Sequence, residues 1–202
     1  VNAGTLKYGA NNVLATGAVT VNDGGTLDLN NQSDSIGALA VNSGVTGGTV
    51  TTGTGTLTLT GALSSTGGGT NATISGNLAL PAAASVTTTN AADGLTVSAV
   101  VSGAGTSLTK SGAGTLTFSG ANTYAGTTTV SAGTLALAGG NAIADAGAVN
   151  LGTAGATLSV SADETIGSLA GVAGTTVDLA GNTLTAGNAS NTTHAGVING
   201  IG

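Results

Sequence analysis

The chain has 202 residues, of which 5% are charged, against about 25% in ordinary domains; the net charge is −6, and Lys7 and Lys110 are the two basic residues. Two lysines cannot neutralise a phosphate backbone or hold an anionic bilayer surface, which excludes nucleic-acid and membrane-surface partners. No apolar run approaches the roughly 18 residues of a membrane-spanning helix, the 40% hydrophobic content argues against disorder, and the 37 glycines follow no collagen triplet.

Val1 leads at once into a repeat-like run, so no leader peptide is expected in this sequence. A Gly-Thr-Leu theme then recurs, at Gly4-Thr5-Leu6, Gly25-Thr26-Leu27, Gly55-Thr56-Leu57, Gly114-Thr115-Leu116 and Gly133-Thr134-Leu135. Looser versions follow at Ala156-Thr157-Leu158, Thr175-Thr176-Val177 and Asn182-Thr183-Leu184. Each opens a short alternating run, such as Thr115–Ser119, with leucines on one side and threonines on the other. Gly, Asn, Asp and Ser mark the turns between runs. The stretch from Gly67 to Ala84 departs most from the theme, yet it is too short and strand-like for an inserted domain.

The central stretch, Leu108 to Leu137, shows one period whole: strand, turn, strand, turn, then the same opening 19 residues on. Units of this length that return to their own register build a solenoid. The expected fold is all-β, a parallel β-helix of about ten coils of roughly 20 residues with almost no α-helix. Inward Leu, Val, Ile and Ala form ladders, outward Thr keeps β-propensity high, and Gly turns the corners.

A longer period lies above the coil. Val1–Leu6 matches Val130–Leu135, and Ser35–Leu39 matches Thr165–Leu169, at offsets near 130. Residues 1–72 therefore resemble 130–202, and the tail from Ala195 to Gly202 resembles Ala99–Gly105. The expectation is a single β-helix segment over 1–202, a slice of a longer repeat protein. Open coil ends are templates for pairing, so head-to-tail stacking of copies is expected.

Few residues offer chemistry. His194, the sole histidine, reads as a solvated loop residue with no catalytic partner near it in sequence. Asp163-Glu164 reads as a polar turn, since strand neighbours face opposite ways. An acid pair built on Asp28 has no supporting spacing. Gly24-Gly25-Thr26-Leu27-Asp28 lacks a glycine of the calcium nonapeptide and does not recur, so no metal or other cofactor is expected. Sequons at Asn31, Asn71, Asn188 and Asn191 fit chance in so polar a chain. Thr-x-Thr pairs (Thr54/Thr56/Thr58/Thr60, Thr87/Thr89, Thr115/Thr117, Thr127/Thr129) would form an ice or carbohydrate surface if they stacked on one face, but their irregular spacing reads as ordinary strand decoration.

The stretch Leu108–Leu137 closely resembles the passenger-associated transport repeat of bacterial autotransporters. The resemblance rests on Leu108-Thr109-Lys110, Gly112-Ala113-Gly114-Thr115-Leu116, Ser119-Gly120-Ala121-Asn122-Thr123-Tyr124, Gly126-Thr127-Thr128 and Gly133-Thr134-Leu135. It implies a right-handed β-helix exported through the outer membrane of a Gram-negative bacterium, and displayed or released as a stalk, fibre or adhesin. Partners would then be adjacent coils, further copies, and host or neighbouring-cell surfaces. A pectate-lyase-like, polysaccharide-degrading enzyme shares the fold but needs acids clustered with Lys or Arg, and this chain has no Arg. Within the pattern, Lys110 reads as a solvated residue at a strand end.

Overall fold

Short alternating runs separated by glycine cannot bury an apolar side alone, so each must stack on the run before it. The computed structural model describes residues 1–70, 72–103, 105–187 and 190–200. Among them every strand pairing is parallel and no helix occurs. The chain winds about nine turns of a β-solenoid, close to the ten expected.

Each turn has three faces. The first is an unbroken ladder from Gly4–Lys7 through Gly25–Asp28, the leading half of Thr49–Leu59, the leading half of Ala72–Ala79, Gly94–Val97, Thr115–Phe118, Thr134–Leu137, Thr157–Val160 and Thr176–Asp178 to Val197–Asn199. The third carries Val19–Val21, Leu39–Val41, Leu63–Ser65, Ala83–Thr88, Ser107–Ser111, Thr128–Val130, Ala148–Leu151 and Ser168–Gly171. The second holds Asp34–Ile36, the trailing halves of Thr49–Leu59 and Ala72–Ala79, and Val100–Ser102. Its strands resume only at Glu164–Ile166 and Leu184–Ala186.

The interior follows from alternation. On the first face two inward columns stand side by side: Leu6, Leu27, Val50, Ile74, Val97, Phe118, Leu137 and Val160 in one, and Ala72, Leu95, Leu116, Leu135, Leu158, Val177 and Ile198 in the other. All are buried except Leu6 and Ile198 at the two ends. Burying such a side chain contributes about 1.5–3 kcal/mol. All three aromatics, Tyr8, Phe118 and Tyr124, are buried as well.

Two features of the sequence theme are redistributed. Gly55-Thr56-Leu57 sits on the second face, because Thr49–Leu59 crosses a corner and its leading half takes the first-face position. Leu184 also lies on the second face, paired with Glu164. Val197–Asn199 joins the first face, unlike Val100–Ser102 on the second, to which the tail was matched. Ile201 and Gly202 lie outside the described residues.

Candidate functional site

Strand alternation along Ser107–Ser111 turns Leu108 and Lys110 inward. Lys110 therefore occupies a slot between Val86 and Val130, and it is fully buried, not solvated. Its ammonium bends to the corner and donates to the carbonyls of Ser111 (2.9 Å), Gly112 (2.8 Å) and Ala132 (3.0 Å). Three carbonyls from two successive turns replace its water shell. Burial still disfavours the charge and lowers its pKa to about 8.

The corner itself forces the glycines. Gly112 has φ +76°, and a Cβ there would run into the Thr88 carbonyl of the turn before. Gly114, Gly120, Gly126 and Gly133 press equally close to preceding backbone. Thr115 and Thr134 face outward on the first face while Leu116 and Leu135 pair beneath them.

From residue 119 to 127 the turn has no second-face strand, and side chains supplement the backbone bonds from Asn122 to Asn141 and from Thr123 to Val101. Asn122 accepts the Val101 N–H at 2.8 Å and donates its amide to the Ala142 carbonyl at 2.7 Å. One turn further, the Glu164 carboxylate accepts the N–H groups of Ala142 and Ile143, both at 3.0 Å. Burial raises the Glu164 pKa, partly opposed by those two N–H groups. Tyr124 fills the interior next to Asn122, edge-on to Phe118 with 6.3 Å between ring centres, and its hydroxyl pairs with buried Thr128 at 2.9 Å. Thr127, the residue before, lies at the exposed start of the next strand.

The remaining candidates do not converge. Asp163 is exposed and accepts the Thr183 N–H at 2.7 Å, while Glu164 is buried, so the pair is not a polar turn but opens a strand with its two acids facing apart. His194 is not a solvated loop residue: it bridges to Gly171 beside the third-face stack, and both ring nitrogens are buried with no partner among the described residues. Asp28 lies 3.6 Å from Lys7 and accepts the Asn30 N–H. Among the described residues no three His, Cys, Asp or Glu come together as a metal site would require. Asn31 takes φ +66° at a corner, Asn191 is exposed, and Asn71 and Asn188 lie outside the described residues. The Thr-x-Thr pairs are scattered: Thr56/Thr58 on the second face, Thr87 and Thr129 on the third, Thr115/Thr117 on the first.

Two polar devices escaped sequence reading. Asp93 is buried at a corner, where it accepts from Ser43 Oγ (3.0 Å), the Gly68 N–H (2.6 Å) and the Asn90 N–H (2.6 Å). Burial alone would raise its pKa, but these donors outweigh it and the pKa is lowered. Asn2, Asn22 and Asn42 form a ladder of amides, each link 2.7 Å. Spacings of 20 residues in a chain rich in Asn would have been the only clue.

With that geometry in place, residues 108–137 match the family model of the passenger-associated-transport-repeat. No curated protein and no solved structure matches the chain.

Proposed function

We propose that this chain, an autotransporter passenger-type repeat protein by its repeat at 108–137 and its parallel β-solenoid, serves as a structural rod. It would be secreted from, or displayed on, a Gram-negative bacterium as a stalk, fibre or adhesin. The observation that carries this reading is the unbroken first-face ladder from Gly4–Lys7 to Val197–Asn199. A stack joined at every turn by backbone hydrogen bonds resists bending and gives reach at about 4.8 Å per turn. Both edge strands of that ladder are exposed at every residue, which supports pairing with flanking turns or with further copies head to tail.

An enzymatic reading needs several free carboxylates around a cleft. Here the buried acids Asp34, Asp93 and Glu164 are each engaged by backbone N–H donors, which favours a non-enzymatic role. Small-angle scattering and labelling of intact cells test the two halves separately. An elongated particle of constant cross-section, reached by antibody without lysis, is expected. A compact particle would sink the rod, and staining only after lysis would sink the surface location.

A further inference from the structure

The irregular sequence spacing of the threonines disappears in three dimensions. Thr5, Thr26, Thr49, Thr73, Thr96 and Thr117 stand in one outward column on the first face, one per turn over six consecutive turns. Corners of different length absorb the inserted residues, and the pairing register keeps the column straight. Beside it, two residues along each strand, Thr51 pairs with Ser75. Backbone bonds from Ser98 to Ile74 and from Ser119 to Val97 extend that second column over two more turns. On the other side Thr115, Thr134, Thr157 and Thr176 make a third.

Strand propensity alone would place threonine equally on every outer face. It does not: on the third face serine, alanine and asparagine interrupt the outward columns, and threonine stands on at most two consecutive turns, at Thr109 and Thr129. The first face is also neutral between the Lys7–Asp28 pair at one end and Asp178 at the other. Its hydroxyls therefore repeat at about 4.8 Å along the axis and roughly 6.6 Å along the strand, on β-branched side chains that are stiff at χ1. Thr73 and Thr49 hydroxyls lie within 3.4 Å of each other, aligned with the axis.

We propose that the first face binds ice. A neutral, flat, pre-ordered net of hydroxyls and methyls can hold surface water in a lattice and freeze onto a crystal. Sugar polymers are a poorer fit, because recognition of pyranose faces favours exposed aromatic rings, and all three aromatics here are buried. The site is independent of the rod and export readings.

The test uses the purified protein, Thr96→Val (hydroxyl removed, volume kept), Thr73→Tyr (the net blocked) and Thr129→Tyr on the third face, all checked for unchanged β circular dichroism. The unsubstituted protein should shape ice crystals and inhibit recrystallisation at micromolar concentration. Thr96→Val and Thr73→Tyr should lose this at least tenfold, and Thr129→Tyr should keep it. No effect of the unsubstituted protein on ice overturns the proposal whatever the variants do. So does full activity in Thr96→Val, or retention on microcrystalline cellulose or chitin without any effect on ice.

Discussion

Asn122 and Glu164 hold Ala142 from opposite sides: the amide of one donates to its carbonyl at 2.7 Å, and the carboxylate of the other accepts from its N–H at 3.0 Å. With the Asn122 contact to Val101, four successive turns are tied across the two middle ones, where the second face has lost its strand. Buried backbone groups must be satisfied, and for Val101, Ala142 and Ile143 side chains do so.

Replacing Asn122 with Leu keeps most of its volume but strands a buried N–H and a buried carbonyl. The expected loss is about 2–4 kcal/mol, from two unmet backbone groups. Urea unfolding of Asn122→Leu beside the parent measures it; a change under half a kcal/mol would mean that water replaces the amide.

Glu164 has a raised pKa, so between the ordinary value of 4.5 and its raised one the folded state binds more protons than the unfolded state. Stability contributed by this group therefore falls as pH rises through that window. Thermal melts from pH 4 to 7 should show this fall, and its absence in Glu164→Gln would assign it. A parent whose Glu164-dependent stability instead rises with pH contradicts the reading.

Lys110 behaves in the opposite pH range. Its folded pKa of about 8 lies below the ordinary 10.5, so between those values the unfolded chain binds the extra proton. Stability should climb as pH rises above 8, and Lys110→Met should flatten the climb. Tyr124, raised by burial above its ordinary 10.0, reverses the trend only from about pH 10. Melts at pH 7.5 and 9.5 suffice.

Gly112→Ala should destabilise more than Gly155→Ala, although both glycines have positive φ. At Gly155 nothing lies near the added Cβ, so the cost is the left-handed backbone alone, about 1–2 kcal/mol. At Gly112 the Thr88 carbonyl must move too, and a drop beyond 3 kcal/mol is expected. Equal losses in the two variants would show that the corner yields freely.

Composition and period were enough for the fold class. Leu116 and Leu135 bracket one turn in sequence and sit in adjacent positions of one ladder, because a strand side chain has only two directions and a coil must return to its own register. Burial of the strand-borne leucines follows from the same rule, as does the opposition of Asp163 and Glu164. Corners are different. Their lengths vary, so sequence could not say that Gly55-Thr56-Leu57 lies one face on from Gly25-Thr26-Leu27, or that six unevenly spaced threonines share a column. Nor does alternation tell which inward position will be polar. Lys110 reads as a solvated cation until the Ala132 carbonyl of the next turn closes over it, and the Asn122 amide finds its partners about twenty residues away in each direction. Local chemistry decided which segments were strands; only the stacking of turns, which brings distant backbone groups within hydrogen-bond reach, decided what the polar side chains among them do.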